Sequence, residues 1–383
     1  MTMKRKQTLV RALGAFGLTA AVCGLLVWQH TAAVSLLCQL TVHEAQALFP
    51  LPLTLYAVDT TAPVETAVTD EPPAFEPTTA PPATTRTAAA KEDLTATPDD
   101  IRKLTAQAKK NADKSKKVGA ISKKTYKNEG VTDKAGVVKI KNVNKTRIDA
   151  AKLLKEKADL AVKKDAPCVL IFHTHTTESY QYLDRSYYTS DVPTRDSDKG
   201  RNMVRVGDEI CAELEAMGFS VLHDTEIHDT RYTGAYARSR ETVQAYQKQY
   251  PSLQVLLDIH RDAIQLSNGT KIKPVATIDG KQAAQVMIIT GCQESGNGVT
   301  DFPDWKQNLI FALQLQEKME STFPGLTRPV FFSPRRYNMH LSHCSLLLEV
   351  GSDANTLEEA AYSGRLIGHA LGLLLQYYQE EEP

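Results

Sequence analysis

The chain has 383 residues, enough for more than one domain, and its 45 Lys and Arg balance its 45 Asp and Glu. The charge is unevenly distributed, with a net charge of −4 over residues 1–100, +13 over 101–165 and −9 over 166–383. Six cysteines without a C-x-x-C spacing argue against a disulfide framework and against a cysteine-based zinc site. The sequence has no G-x-G-x-x-G or P-loop motif, so nucleotide binding has no support.

The amino terminus has the features of a membrane anchor. Basic residues at positions 4–6 and 11 precede an uncharged span, 12–28, that is rich in Leu, Ala, Val and Gly. This span is at the short limit for a membrane helix and is long for the apolar part of a signal peptide. Because the basic residues come first, we expect residues 1–33 to form a cytoplasmic tail and a single-pass anchor, with the rest of the chain outside. A cleaved signal peptide is the alternative.

Three segments of distinct composition follow. Residues 34–57 are apolar and predict a membrane-proximal segment. Residues 58–100 are rich in Thr, Pro and Ala and have few large apolar side chains, which predicts a disordered linker. Residues 101–165 predict a basic segment leading into the main domain, with a strand over 136–143 and an amphipathic helix over 148–162. Such a segment favours an anionic wall polymer or lipid surface, whereas nucleic acid is disfavoured because aromatic residues are not interleaved.

The remaining residues, 166–383, alternate between strand-like and helix-like patterns. Strands are predicted at 168–172, 219–222, 255–263, 285–290 and 345–351, with a hairpin over 271–280. Helices are predicted at 202–217, 233–250, 305–323 and 357–378. Such alternation is typical of a mostly parallel sheet with helices on both faces, so we expect a three-layer α/β domain.

The first strand of this domain ends abruptly in polar residues. The apolar run 168–172 is followed by His173 and His175, and Glu178 comes three residues later. An uninterrupted apolar run is typical of a strand buried on both faces, and open α/β sheets bind ligands at the carboxyl ends of such strands. The H-x-x-E spacing brings His175 and Glu178 close enough in a turn to share one cation. Two His and one Glu form a known catalytic zinc arrangement.

Two further strands supply the remaining groups. The apolar run in 255–263 breaks at His260, and Glu349 lies inside the apolar end of 345–351. Taken singly, such a His is usually a structural residue, and such a Glu is usually paired with an Arg. A buried carboxylate is costly without a partner, and a water molecule on a metal ion would be one. Three converging strand ends therefore predict a metal centre. The predicted zinc ligands are His175, Glu178 and His260.

Four motifs carry a resemblance to a known family. They are HTHTTESY at 173–180, LDIHRDA at 257–263, YNMHLS at 337–342 and LEVG at 348–351. With the order of anchor, spacer and catalytic domain, they resemble the stage II sporulation protein P family, membrane-anchored peptidoglycan hydrolases of spore-forming bacteria. The domain is also similar to zinc N-acetylmuramoyl-L-alanine amidases, in which a strand-end His, a Glu, a second strand-end His and a catalytic Glu before Gly follow in order. His175, His260 and Glu349 match that order.

The resemblance leaves the second ligand open between two carboxylates. In those amidases the ligand Glu precedes an Asn at the start of the first helix, and this position corresponds to Asp198, ahead of Asn202. The H-x-x-E spacing found in zinc carboxypeptidases instead selects Glu178, which we favour. His173 lies two residues before His175, and we expect it to share that face as an alternative ligand or as a support for the metal or the substrate.

Further roles follow for the catalytic residues. Zinc lowers the pKa of its water and polarises the scissile carbonyl. Glu349 would take the proton of that water and pass it to the leaving amine. Arg261 or Arg336 would stabilise the oxyanion or hold a substrate carboxylate, although an ion pair with a neighbouring carboxylate is an equal alternative. Asn338 and His340 are the remaining candidate substrate contacts.

The resemblance implies peptidoglycan as the substrate and two possible cuts. One is the amide between the lactyl group of N-acetylmuramic acid and L-alanine, and the other is an endopeptidase cut in the cross-linked stem. It also implies a role in engulfment with stage II sporulation proteins D and M, at the septal and engulfing membrane, with the catalytic domain on the outer face. A zinc carboxypeptidase acting on free peptides and a non-catalytic wall-binding scaffold are the alternatives.

Overall fold

The computed structural model describes residues 93–163, 166–294 and 299–380. These residues belong to one compact unit, Thr60–Pro383. The predicted anchor, the apolar segment behind it and most of the predicted linker lie outside the described residues. Among the helices that are described, none is long and apolar enough to cross a bilayer.

Within these residues the chain forms twelve strands and six α-helices. The strands are β1 Lys117–Lys124, β2 Asp133–Ala135, β3 Val138–Asn142, β4 Val169–Phe172, β5 Tyr187–Thr189, β6 Val221–His223, β7 Val255–Asp262, β8 Lys271–Ile278, β9 Lys281–Ala284, β10 Val286–Gly291, β11 Val330–Ser333 and β12 Cys344–Ser352. The helices are α1 Asp99–Lys110, α2 Ala150–Leu153, α3 Met203–Ala216, α4 Ala235–Gln249, α5 Trp305–Thr322 and α6 Leu357–Glu380. The four helices predicted after residue 166 are all present, whereas the helix predicted over 148–162 is limited to α2.

The central sheet has the strand order β2-β3-β11-β10-β12-β7-β4-β6. Strands β6, β4, β7 and β12 run parallel to one another, and β10 is antiparallel to β12. Beyond this reversal, β10, β11 and β3 are again mutually parallel, and β2 is antiparallel to β3. The predicted α/β architecture is confirmed, although the reversal makes the sheet mixed. Because β4, β7 and β12 are parallel neighbours, their carboxyl ends lie at one edge.

Alternate residues of the sheet enter two different cores. One set belongs to a large core with α3, α5 and α6, and its sheet members include Val169, Ile171, Leu257, Ile259, Leu348 and Val350. The other set belongs to a smaller core with α4, formed by Leu170, Phe172, Leu222, Val243, Tyr246, Leu253 and Leu256. Side chains alternate along a strand, so Asp258 and His260 share the face of Leu256. The site therefore lies on the side of the sheet that α4 covers.

The basic segment at 101–165 is part of the folded domain. Strands β2 and β3 extend the central sheet, and Val138 and Ile140 of β3 are fully buried. Strand β1 lies in a second sheet of order β5-β1-β8-β9, in which β8 and β9 form an antiparallel hairpin. The predicted domain boundary at residue 166 is therefore wrong. The described lysines of this segment are divided among helices α1 and α2, strands β1 to β3 and the adjoining turns and loops.

The end of the predicted linker is also attached to the domain. The Nε of Arg365 donates to the carbonyl of Leu94 at 2.8 Å, and the Nε of Arg205 lies 2.8 Å from Oδ2 of Asp100. These contacts tie the start of the described chain to α6 and α3. The linker boundary predicted at residue 100 is thus too late.

Candidate functional site

The predicted ligands and base lie at the carboxyl ends of three neighbouring strands. His175 follows β4, His260 lies in β7 and Glu349 lies in β12. His260 and Glu349 are register partners across the parallel pair of β7 and β12, so their side chains project from the same face. Glu178, in the turn after β4, is buried, and its Oε2 lies 3.6 Å from Nδ1 of His260. The structure thus brings these four residues to one edge of the sheet.

His260 lies between two carboxylates. Its Nδ1 faces Glu178, and its Nε2 lies 2.8 Å from Oδ1 of Asp258. The second contact is an ion pair that is too bent to be a hydrogen bond. Although burial opposes the change, Asp258 and then Glu178 raise the pKa of His260 well above its usual value, so a metal ion at Nδ1 would displace a proton from this ring. Asp258 is itself fixed by Thr174, whose amide donates at 2.8 Å and whose hydroxyl donates at 2.7 Å.

Positive groups surround the carboxylate of Glu178. The backbone amide of Arg261 donates to Oε2 at 3.1 Å, and Nη1 of the same residue lies 3.7 Å from Oε1. Nη2 of Arg195 lies 3.6 Å from Oε1. Burial alone would raise the pKa of Glu178, but Arg261 and then His260 lower it to about 2. Glu178 is therefore ionised at neutral pH, as a carboxylate ligand must be.

These donors fit a zinc ion. Two imidazoles and one carboxylate are a common ligand set of catalytic zinc, with bonds of about 2.0–2.2 Å. The separation of 3.6 Å between Nδ1 of His260 and Oε2 of Glu178 is compatible with two such bonds to one ion. Nδ1 of His175 is buried without a hydrogen-bond partner. Asp258 behind His260 provides the carboxylate that typically accompanies a histidine ligand. His175, Glu178 and His260 would hold the ion.

A second group of potential ligands lies in the turn after β6. Among the described residues, Asp224, Glu226 and His228 place three ligand atoms within 4.8 Å of one another, and the three predicted zinc ligands are not gathered that closely. However, Nε2 of His228 lies 2.8 Å from Oδ2 of Asp224, the distance of a hydrogen-bonded pair. The hydroxyl of Thr176 also donates to the carbonyl of Glu226 at 2.8 Å. We therefore interpret this turn as a support for the loop that carries His175.

Aromatic rings enclose His175. Its ring is stacked on Tyr232, with centroids 4.7 Å apart and planes 5° apart, and it meets His260 edge-on at 5.3 Å. Tyr236 contacts both histidines, whereas Tyr232 is 42% exposed and forms the outer wall of the site. Burial, and then His260, lower the pKa of His175 to about 4. His175 is thus a neutral imidazole, the form that binds a metal.

Glu349 has the properties of a proton-transfer group. Its Oε2 is buried and has no hydrogen-bond partner. Burial, and then Asp262, raise the pKa of Glu349 to about 8, while His260 opposes this rise. Arg328 lies nearby, with its Nη1 2.9 Å from Oδ2 of Asp262, and it also opposes the rise. A carboxyl group with a pKa near neutrality is suited to both accepting and donating a proton.

His173 is not part of this cluster. It is fully buried, with Nδ1 3.1 Å from the carbonyl of Ile259 and Nε2 2.9 Å from Nε2 of His223. Strand β4 ends at Phe172, so the alternation that predicted a shared face with His175 does not continue. The expected role of His173 as a ligand or substrate contact is therefore wrong. Both of its ring nitrogens have partners inside the fold.

Arg261 is positioned differently from the prediction. Its Nε donates to the carbonyl of Ser179 at 3.2 Å, and its Nη2 donates to the carbonyl of Thr194 at 2.6 Å. Its charge is paired with Glu178, a partner that the sequence did not indicate. A guanidinium engaged in this way is not aimed at a substrate oxyanion. Arg261 holds the loops around Glu178 and keeps that carboxylate ionised.

The three predicted substrate contacts in the segment between β11 and β12 lie in different places. Asn338 is buried, and its Nδ2 donates to the carbonyl of Tyr236 at 2.9 Å, so it fixes the start of α4. His340 lines a cavity at the amino ends of β7 and β12, away from Glu349. Nη1 of Arg336 lies 3.4 Å from the carbonyl of Thr300. Asn338 is therefore engaged behind Tyr236, His340 lies away from the site, and Arg336 stays a predicted substrate contact.

The alternative ligand Asp198 is on the surface. It accepts from the amide of Gly200 at 2.9 Å, and its Oδ2 lies 3.1 Å from Nε of Arg201. The geometry therefore favours Glu178.

Sequence reasoning missed four residues that shape the site: Asp258, Arg195, Tyr232 and Arg328. Asp258 was within reach, because it lies two positions before His260 on the same strand and so shares its face. The others come from loops whose position the local sequence does not reveal.

One protein family matches the chain over most of its length. The family model described as stage II sporulation protein P matches residues 73–372. The chain belongs to the stage II sporulation protein P family. Stage II sporulation protein P of Bacillus subtilis (strain 168) is 33% identical over 207 residues, which are 51% of this chain and 48% of that relative. The chain thus spans about half the length of this curated member. The family match begins well before residue 166, in agreement with the folded position of β1, β2 and β3.

Solved structures of N-acetylmuramoyl-L-alanine amidases are similar to part of the chain. AmiC2 of Nostoc punctiforme is 15% identical, with 57% of this chain and 99% of that one covered at a TM-score of 0.31. The amidase from Clostridium difficile 630 is 14% identical, with 57% and 100% covered at a TM-score of 0.33. The CwlD amidase from Clostridioides difficile, in complex with the GerS lipoprotein, is 12% identical, with 56% and 100% covered at 0.33. At such TM-scores the alignments assign no role to any residue of this chain.

Proposed function

We propose that this chain is a zinc-dependent peptidoglycan hydrolase that cleaves the amide bond between N-acetylmuramic acid and L-alanine. Membership in the stage II sporulation protein P family supports a role in sporulation. The observation that carries the proposal is the position of Glu349. Its buried and unpartnered Oε2 belongs to the strand beside His260, whose ring faces Glu178 and meets His175. A proton-transfer group thus lies next to a set of metal donors.

The proposed chemistry divides between the ion and the protein. His175, Glu178 and His260 would hold zinc, which would polarise the scissile carbonyl and lower the pKa of a water molecule. Glu349 would accept the proton of the attacking water at Oε2 and donate it to the amine nitrogen as the amide bond breaks. Asp258 would keep the ring of His260 in orientation through its contact at Nε2.

The same residues would act on other amides that reach Glu349, so an endopeptidase cut in the stem peptide is a further candidate reaction. A zinc carboxypeptidase is less well supported, because Arg261, one of the two arginines expected to hold a substrate carboxylate, is engaged by the carbonyls of Ser179 and Thr194. A non-catalytic scaffold would not explain why Oε2 of Glu349 is buried without a partner, an arrangement that costs stability. These observations favour the hydrolase.

We place the hydrolase at the outer face of the cell membrane. The apolar span at 12–28 and the basic residues before it support a single-pass anchor. The Thr- and Pro-rich stretch after residue 58 would act as a spacer between the bilayer and the domain. Family membership supports action at the engulfing membrane together with stage II sporulation proteins D and M.

Digestion of purified peptidoglycan by the purified chain tests this proposal. Mass spectrometry should find peptides with new L-alanine amino termini and glycan strands with intact sugars. Metal analysis should find a single zinc ion per folded chain, and a chelator should stop the reaction until zinc is restored. Products cut only within the cross-links would identify an endopeptidase instead. Full activity without zinc would contradict the metal assignment.

A further inference from the structure

A strip of the central sheet continues from Glu349 across β10, β11 and β3. Glu349 of β12 pairs in register with Met287 of β10. Two residues further along β10, Ile289 pairs with Phe331 of β11, and Phe331 in turn pairs with Lys141 of β3. Met287, Phe331 and Lys141 are partly exposed, and we refer to these three residues as the strip. Alternate residues of the same strands are buried, namely Val286, Ile288, Val330, Phe332 and Ile140. Ile289, which shares the face of Met287 and pairs with Phe331, is only 7% exposed, so the strip offers partly exposed apolar side chains on either side of it and ends in a lysine.

The lysine end of the strip carries unbalanced positive charge. Nζ of Lys141 lies 5.6 Å from the ring centroid of Phe331, and no Asp or Glu of the described residues pairs with it. Burial, and then Arg328, lower the pKa of Lys141, so a second cation is close. Arg328 is held by Asp262 at 2.9 Å and lies 4.8 Å from the ring centroid of Tyr126. Lys141 and Arg328 together carry two positive charges, and Asp262 pairs with Arg328 alone, so the net positive charge favours an anionic ligand.

We propose that the strip binds the peptide part of the substrate, with a peptide carboxylate on Lys141 and apolar peptide atoms on Met287 and Phe331. This inference rests on the proposed function, in which the scissile amide lies at Glu349. Three strand spacings of about 4.8 Å and an offset of two residues separate Lys141 from Glu349, about 16 Å in all. An extended peptide covers about 3.3 Å per residue, so about five residues reach from the bond to the lysine.

The chemistry of the strip suits a peptide better than a phosphate polymer. An extended peptide presents apolar side chains to Met287 and Phe331 and carries carboxylates at separated positions. A phosphate polymer would require a row of free cations, whereas the strip has Lys141 alone and the neighbouring Arg328 is already paired with Asp262. A carboxylated peptide is therefore the occupant that the strip predicts.

Binding measured without turnover tests this inference. In the zinc-loaded Glu349→Gln chain, calorimetry measures the affinity for a soluble muramoyl peptide with free carboxylates. Adding Lys141→Ala should weaken this affinity about tenfold, equivalent to about 1.4 kcal/mol, while Lys141→Arg should retain it. The same peptide with amidated carboxylates should bind more weakly and should not distinguish the variants. Lys134→Ala, which removes an exposed lysine from β2, is the matched control and should bind like its parent.

Three results would overturn the inference. The first is that folded Lys141→Ala binds the carboxylated peptide as tightly as its parent. The second is that the parent does not bind the peptide. The third is that Lys141→Ala loses affinity for phosphate-rich wall polymer but not for the peptide. The proposed function fails separately, if the unchanged zinc-loaded chain does not cleave the amide. Carboxylate-dependent and Lys141-dependent binding of the peptide would then still support the strip.

Discussion

Replacing Asp258 by Asn removes the charge behind His260 with little change of shape. Asp258 is 1% exposed, and its Oδ1 lies 2.8 Å from Nε2 of His260. It accepts from the amide of Thr174 at 2.8 Å and from its hydroxyl at 2.7 Å. An Asn side chain can still accept from the amide of Thr174, and its Nδ2 can donate to the hydroxyl of Thr174. That hydroxyl can then donate to Oγ of Ser239, which lies 2.7 Å away. The negative charge beside His260 is what this substitution takes away.

Loss of this charge should act on metal binding while the chain still folds. The hydrogen bonds of Thr174 are exchanged rather than lost, and leaving Nε2 of His260 beside a neutral amide lowers the free energy of unfolding by about 1–3 kcal/mol. Carboxylates behind histidine ligands typically contribute about 10–100-fold to metal affinity. We therefore expect Asp258→Asn to raise the zinc Kd by about 10–100-fold.

Competition with a chelator of known zinc affinity measures this Kd for each variant. The matched control is Asp224→Asn, because Oδ2 of Asp224 is likewise a buried carboxylate oxygen 2.8 Å from a histidine Nε2, that of His228, with which it forms a hydrogen bond. The control should lose a similar amount of stability and keep its zinc affinity. If Asp224→Asn weakens zinc binding and Asp258→Asn does not, the ion belongs to the turn after β6. The ligand assignment would then be refuted.

Three further predictions concern single residues. Glu349→Gln should keep the fold and the zinc but lower peptidoglycan turnover about 10²–10⁴-fold, since it removes the proton-transfer carboxylate; metal analysis and product release measure this. Glu178→Ala should lose zinc while Asp198→Ala keeps it, measured on chelator-washed protein. Gly207→Ala should lower the melting temperature, although Ala favours a helix by about 1 kcal/mol, because overpacking costs about 1–3 kcal/mol. Its methyl group would come 2.8 Å from Nε2 of the buried His173.

Each of these predictions has an opposing result. Near-normal turnover by zinc-loaded Glu349→Gln would mean that another residue is the base. Zinc loss only in Asp198→Ala would select that residue as the ligand. For Gly207 the control is Gly372→Ala in α6, whose methyl group would meet the flexible side chain of Met217. If both substitutions lowered stability equally, a clash with the buried pair of His173 and His223 would not explain the effect at Gly207.

Much of the α/β domain could be predicted, because local signals and tertiary environment agree there. Helix α3 begins after Asn202, whose side chain accepts from the amide of Val204 at 3.0 Å. The same helix is followed by Gly218 with φ of 88°, which stops it. The apolar runs of β4 and β7 likewise reflect burial on both faces. In such segments the residues that set the local structure are those that the fold buries.

The missed elements lack a local signal. Strand β1 has Ile121 as its buried residue and exists because it pairs with β8 far along the chain, where Ile121 is the partner of Lys271. The helix expected over 148–162 is interrupted by tertiary contacts, since the amide of Ala158 donates to the hydroxyl of Tyr378 at 2.9 Å. A pattern of one buried residue in eight has no period, and a distant hydroxyl leaves no trace in the local sequence.

The sequence by itself determined which chemical groups stand at the strand ends, because His175, His260 and Glu349 follow from where apolar runs stop. Only the tertiary structure decided the partner of each group. It paired His173 with His223 and Arg261 with Glu178. The physical reason is that periodicity along a strand defines the two faces of that strand, whereas the segment that packs on each face comes from elsewhere in the chain.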